Sequence, residues 1–201
     1  LLTAAALALL LPLTISLNKP DNKREVWNYE VKIKNKIAGN IKVVQEKEGR
    51  QKYKYQTHSF IKHQVIIPIK VMHDFQVTYE NDLLKYAVVK IQVNGKEHTS
   101  TQTIYQGYKR WIFREGKDDE EIRKTIDYSS ILPYFREPKG VDKVYSEEDG
   151  SFHTLERTAA HTYLKISPKG RKNTYYYENG MLKQAEIDTK AIDFSIRMVS
   201  E

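Results

Sequence analysis

A chain of 201 residues, 40% apolar and 29% charged, has the balance of one folded domain rather than a disordered segment. It contains no cysteine, which removes disulfides, thiolate-ligated metals, thiol nucleophiles and the lipid-modified cysteine of an anchored lipoprotein. Its formal charge of +7 comes without a block of five Lys or Arg or any RNA-binding aromatic signature, so no nucleic acid partner is expected; solvated strand faces or transient contact with an anionic membrane surface are.

The first 17 residues, Leu1 to Leu17, carry no charge, and every charged residue follows them. This run reads as the apolar region of a secretory signal peptide, with small residues before a cleavage point after Ser16. It is short for a spanning helix, and Pro12 weakens it further. Export to the periplasm or the extracellular space is therefore expected, with residues 18–201 as a single folded domain.

From Val26 to Lys34 the chain alternates, with Trp27, Tyr29, Val31 and Ile33 on one face and polar residues on the other. That period of two is a half-buried strand. Asn35 to Asn40, with Gly39, reads as a turn before a return strand over Ile41 to Lys47. Gln51 to Ile61 alternates again. The apolar run Val65-Ile66-Ile67-Pro68-Ile69 follows, and Pro68 marks an edge, a bulge or a break because it cannot donate to a ladder. Leu83 to Val93 is a long strand, Asn94-Gly95 a hairpin signal, and Lys96 to Gln106 the return. Tyr108 to Arg114 carries Trp111 and Phe113.

A charged loop, Glu115 to Glu121, leads to a short strand expected over Ile122 to Ile126. Asp127 to Phe135 is read as the single helical turn, capped by Asp127 or Ser129 and stopped by Pro133. Turn signals at Asp149-Gly150, Pro168-Lys169-Gly170 and Asn179-Gly180 then divide a meander of Tyr-rich strands. Ile192 to Val199 closes the chain.

The fold expected is all-β. About a dozen strands, joined by short turns, form one antiparallel meander sheet that curls strongly or closes as an incomplete β-barrel. Its concave face is apolar, and the helical turn near Ile131 plugs one end. An internal echo, Tyr79-Glu80-Asn81-Asp82 against Tyr177-Glu178-Asn179-Gly180, fits either a duplicated half-sheet or two hairpins selected independently by turn chemistry.

Several short motifs recur in a recognisable order: Ile37-Ala38-Gly39-Asn40-Ile41, Tyr134-Phe135-Arg136-Glu137-Pro138, Val144-Tyr145-Ser146-Glu147 with Gly150, and Asn173 to Gly180. On these the chain resembles a family of exported bacterial proteins of unknown function, common in the Bacteroidetes. More distantly, its layout resembles the LolA-type periplasmic lipoprotein carriers, meander sheets that bend around apolar ligands. The resemblance implies the architecture and an envelope location, and it brings no catalytic residues.

The residues singled out for ligand binding are Arg136, Glu137, Ser146, Glu147 and Trp111. The first four lie in connections, where binding residues concentrate. A salt bridge from Ser146-Glu147 to Arg136 would alternatively pin the helical turn to the sheet. Among the histidines, His58 and His73 could approach each other across strands beside Asp74, but solvated histidines are the simpler reading. Ser129 and Ser130 lack the flanks of a nucleophile elbow and suit capping. The acidic run Asp118 to Glu121 lacks the spacing of a calcium loop. No catalytic set, cofactor or metal is expected. The function expected is non-catalytic binding of a lipid or other apolar or amphipathic ligand on the concave face. The alternative is a structural or protein-interaction module of the cell envelope, working through its sheet surface or an edge strand.

Overall fold

The computed structural model describes residues 22–64, 68–189 and 193–199. The signal-like run, Val65 to Ile67 and Ile192 therefore lie outside the described residues. The strands are β1 (Lys23–Ile33), β2 (Lys36–Glu48), β3 (Lys52–Gln64), β4 (Pro68–Glu80), β5 (Leu83–Val93), β6 (Lys96–Gln106), β7 (Lys109–Arg114) and β8 (Glu120–Ile122). After a crossing segment come β9 (Lys143–Ser146), β10 (Ser151–Ala159), β11 (Thr162–Ile166), β12 (Lys172–Glu178), β13 (Met181–Ile187) and β14 (Phe194–Met198).

All fourteen strands form one antiparallel sheet. Each pairs with its neighbour in sequence within two runs, β1 to β8 and β9 to β14. The runs join where β1 pairs β14, with Tyr29 opposite Met198 and Val31 opposite Ile196. So the two ends of the domain lie at the middle of the sheet, and the middle of the chain supplies both edges. Pro68 opens β4, the strand position where a missing donor costs least.

The inner face carries Tyr29, Val31, Val43, Tyr55, Val77, Leu84, Ala87, Ile112, Leu155, Tyr175 and Ile196, all buried. This is the alternation read from the sequence. Two expectations need correction. Gly39 is inside β2, not in a turn; the turn is Lys34-Asn35, both at positive φ (48° and 65°). A Cβ on Gly39 would collide with the Phe60 carbonyl oxygen and come within 2.9 Å of Ile61 Cα, so glycine is there for close backbone approach. The strand expected over Ile122 to Ile126 is instead β8, Glu120–Ile122, and Ile126 is a buried residue of the crossing segment.

The sheet curls until β6 and β7 face β9 and β10, but among the described residues no backbone ladder closes it. Side chains bridge the seam. Thr101 Oγ1 donates to Glu148 O at 2.7 Å, Thr103 Oγ1 shares a hydrogen bond of 2.7 Å with Tyr145 Oη, and Arg114 Nη1 donates to Asp149 O at 3.0 Å.

Residues 123–142 cross the concave face between β8 and β9. Ile126, Tyr128, Ser129, Ile131 and Leu132 are buried, and only Leu132–Tyr134 is helical, a single 3-10 turn. Its N-cap residue is Ile131, with no side-chain cap. The capping expected of Asp127 or Ser129 is not what holds this turn.

Candidate functional site

The crossing segment fills the concavity, and the way it is held explains several residues at once. A backbone laid across a sheet face exposes N–H and C=O groups to an apolar interior, where each must find a partner. Tyrosines supply many of them. Tyr29 Oη donates to Leu182 O at 3.3 Å and lies 3.5 Å from Tyr134 O. Tyr177 Oη donates to Pro133 O at 3.0 Å, Tyr128 Oη to Arg136 O at 2.7 Å, and Tyr79 Oη to Ser129 Oγ at 2.8 Å. Burial raises the pKa of all four phenols, so each is a neutral donor. Aromatic contacts complete the fit: Phe135 stands 5.2 Å from Trp27 and 4.9 Å from Tyr55, and Tyr134 packs edge-on to Tyr29 at 5.4 Å. The surplus of tyrosine, 14 against six phenylalanines, is thereby put to use.

Beneath the start of the turn lies Glu147, only 1% exposed. Its carboxylate accepts from Ser130 N at 2.9 Å and Ile131 N at 3.2 Å. It thus takes the role of a helix cap from a different part of the chain. Burial raises its pKa, and the Ser129 hydroxyl, its own and the Ile131 backbone N–H groups, and the Lys165 charge partly offset that. Lys165, also buried, donates from Nζ to Ser130 Oγ at 3.2 Å. Burial alone would lower the Lys165 pKa, but Tyr175 and the Glu147 charge raise it. A lysine held protonated in this way binds Ser130 and does not take its proton.

Arg136 and Glu137 are at the other end of the turn. Arg136 is exposed; its Nη2 donates to Asp127 O at 3.1 Å and its guanidinium lies 5.3 Å from the Tyr128 ring centroid. The Glu137 carboxylate is 3% exposed and accepts from Tyr163 Oη at 2.8 Å, with His161 Nδ1 at 2.9 Å and Lys139 Nζ at 3.5 Å. Burial works to raise its pKa, and the Tyr163 and His161 hydrogen bonds bring it below the usual carboxylate range.

The structure therefore divides the residues expected to form one site. Arg136 is not held by Ser146 and Glu147; Glu147 anchors the entry of the turn, Ser146 is buried at the β9–β10 connection, where its carbonyl accepts from Gly150 N, and Arg136 and Glu137 stand at the exit. Trp111 is elsewhere again, half-buried on the strand face opposite the buried Arg110 and Ile112, with Lys109 Nζ 5.9 Å from its ring. His58 and His73 occupy opposite faces. His58 Nδ1 meets Asp74 Oδ1 at 2.5 Å on the exposed side, and burial lowers the pKa of His73 on the inner side. Among the described residues no group of three or more His, Asp or Glu side chains is placed to hold a metal ion. Sequence reasoning missed Lys165, Tyr163 and the tyrosine hydroxyls. Their one sequence signal was the preference for Tyr over Phe at inward positions.

Two shallow depressions are found outside the concavity. One, of about 350 Å³, lies beside the crossing segment and is lined by Lys124, Asp127, Val141, Lys143 and Phe152 among others. The other, of about 480 Å³, is on the outer face, where Phe60, Lys70, Met72, Gln92, Asn94 and Gly95 meet. Phe60 and Met72 are register partners there, and Phe60 is 39% exposed.

Residues 29–199 match the model of DUF6134, a domain of unknown function. The chain belongs to the DUF6134 family. Its fold has a counterpart in the crystal structure of a β-barrel-like protein of another domain of unknown function, DUF1849, from Brucella abortus. That match has a TM-score of 0.54 at 11% identity and covers 90% of this chain and 97% of the other. At that identity the likeness concerns the fold alone. No curated protein matches the chain. In DUF6134 terms, the match begins at Tyr29 and so takes in nearly all of the sheet and the whole crossing segment.

Proposed function

We propose that this DUF6134 domain is an exported, non-catalytic interaction module of the cell envelope that works through the outer face of its sheet. One observation carries the reading: the protein's own residues 126–138 occupy the concave face, which a bound ligand would otherwise take. The edges are also committed. The outer edge of β9 is taken by the crossing backbone, through Tyr145 N to Tyr128 O at 3.0 Å and Ser130 N to Tyr145 O at 2.8 Å. At the other edge β8 is three residues long, too short to template a partner strand. What remains is the outer face, where the Phe60–Met72 depression presents apolar surface to solvent. Support for export is the uncharged run Leu1 to Leu17. Support for a non-catalytic role is that Glu147, Lys165 and Ser130, the nearest thing to an acid–base–nucleophile set among the described residues, are engaged in holding the turn: Glu147 accepts from the Ser130 and Ile131 N–H groups, and Lys165 binds the Ser130 hydroxyl.

The test is photocrosslinking in envelope-bearing cells with the probe at position 60. An adduct that is lost in Met72→Asp, with the purified variant still folded, is expected. Native mass spectrometry of gently purified protein is the counter-test. A lipid retained one-to-one, and insensitive to Met72→Asp, would place the ligand inside and overturn the outer-face reading.

A further inference from the structure

Among the described residues, Arg110 on β7 is the largest wholly buried side chain, 2% exposed, and it makes no hydrogen bond or ion pair with any of them. Its Nε is fully enclosed and unpaired. A guanidinium carries five N–H donors, and an uncompensated buried charge costs several kcal/mol. The groups acting on it electrostatically are two phenols, Tyr105 and Tyr145. The Tyr145 hydroxyl is already shared with Thr103. The Tyr105 ring lies 4.9 Å from the guanidinium carbon, which compensates the charge only in part and satisfies no donor. Lys85 adds to the imbalance, because its Nζ stands 4.1 Å from the centroid of the same ring. Two cations thus share one aromatic ring. Arg114, four residues on and on the same face of β7, also has an enclosed and unpaired Nε, but its Nη groups have the Glu120 carboxylate and the Asp149 carbonyl oxygen, which the Arg110 Nη groups lack.

We infer that Arg110 and Lys85, arranged about the Tyr105 ring, form a binding site for a small oxyanion, a carboxylate or a phosphate group. A planar guanidinium offers parallel N–H donors that match two oxygens of such a group, and Lys85 adds a mobile point charge beside it. Of the Arg110 nitrogens, only Nε is enclosed without a partner; the Nη end is the part an anion reaches. The site is on the inner side of the β5–β7 sheet, so it is independent of the outer-face reading.

The probes are inorganic phosphate, acetate, and phosphatidylglycerol in phosphatidylcholine vesicles, each against sodium chloride of equal ionic strength. The readouts are the Arg110 Nε–H resonance and the thermal midpoint of the full chain. An oxyanion is expected to shift that resonance and raise the midpoint. Lys85→Gln should weaken the response on the order of tenfold, and Arg110→Met should abolish it. Without added anion, Arg110→Met should melt no lower than the parent, since it removes an unpaired buried charge. A response to phosphate or acetate identifies a free oxyanion as ligand, and a response to vesicles alone identifies a lipid headgroup. An Arg110 resonance unmoved by all three probes overturns the site. So does a midpoint shift of equal size in the parent and Lys85→Gln, and that comparison holds even where Arg110→Met fails to fold.

Discussion

Tyr79 and Tyr177 reach the crossing segment from opposite halves of the sheet, ending 2.8 Å from Ser129 Oγ and 3.0 Å from Pro133 O. Each stands two residues before a tight turn, Asn81-Asp82 or Asn179-Gly180, whose residues have positive φ. Each also adjoins a register shift, at Thr78/Tyr79 in β4 and at Tyr176/Tyr177 in β12. A bulge bends and twists its strand and re-aims the next side chain. Here it directs a phenol into the concavity. The echo in the sequence is therefore matched by the same local geometry and the same task, whichever way it arose.

Removing those hydroxyls should separate their roles. Tyr177→Phe leaves Pro133 O buried without its donor and should cost about 2 kcal/mol. Tyr79→Phe leaves a serine hydroxyl that can rotate to another acceptor, and about 1 kcal/mol is expected. Urea unfolding of the two variants measures this. Equal losses, or none, would show that the hydroxyls do not secure the segment.

Glu147→Gln should be more damaging than its size suggests. An amide has one acceptor oxygen, so one of the Ser130 and Ile131 N–H groups would face an NH₂ group instead. A loss of about 2–3 kcal/mol is expected, together with faster hydrogen exchange at Ser130 and Ile131 than in the surrounding strands. Unchanged exchange at those two amides would remove Glu147 from its capping role.

Gly39→Ala tests the tightest backbone approach. The methyl group would meet the Phe60 carbonyl and Ile61 Cα, neither of which can swing aside. A loss of about 3 kcal/mol or failure to fold is expected. At Gly116, φ is +69° with open space around the added carbon, so Gly116→Ala should cost only about 1 kcal/mol. Thermal unfolding of the pair gives the comparison, and a reversed order would contradict the packing of β2 on β3.

The local rules read from the sequence fared well wherever a neighbour in sequence was also a neighbour in space. Asn94-Gly95 and Asn179-Gly180 turn where turn chemistry puts them, and Trp27 to Ile33 alternates as its period requires. What stayed hidden depends on partners far along the chain. Gly39 looked like a turn residue because the Phe60 backbone against it is 21 residues away. Ser129 looked like a cap because Glu147, which satisfies the turn's amides, lies on the far side of β9. Arg136 and Glu147 were paired by charge alone, and period-two patterning carries no information on which carboxylate meets which cation. The unpaired state of Arg110 was equally out of reach, since Tyr108 to Arg114 reads as an ordinary strand marked by Trp111 and Phe113, the two residues that the structure leaves half-buried.

Acid sensitivity provides a last test, through Asp149. Its Oδ1 accepts from Ser151 N at 3.1 Å and Ser151 Oγ at 2.7 Å, and its Oδ2 lies 2.9 Å from His153 Nε2. Burial works to raise its pKa, but the hydrogen bonds from His153 and Ser151 outweigh it and bring the carboxyl from 3.8 down to about 2. A carboxyl depressed in the folded state stabilises the fold above its unfolded pKa, and that stability is lost as pH falls through the folded value. The window is therefore from about pH 4 down to about pH 2. The side chain is 37% exposed, so solvent screening reduces the contribution to about 1–1.5 kcal/mol. Glu147 acts in the opposite sense: with its pKa raised, its contribution is present at low pH and declines as pH rises. Asp149→Asn should accordingly lower stability at pH 6 and flatten the acid limb, so that the curves of variant and parent converge near pH 2. Urea midpoints measured across that range decide it. Curves that run parallel from pH 6 to pH 2 would mean that Asp149 titrates alike folded and unfolded, and that its hydrogen bonds to β10 do not stabilise the charged form.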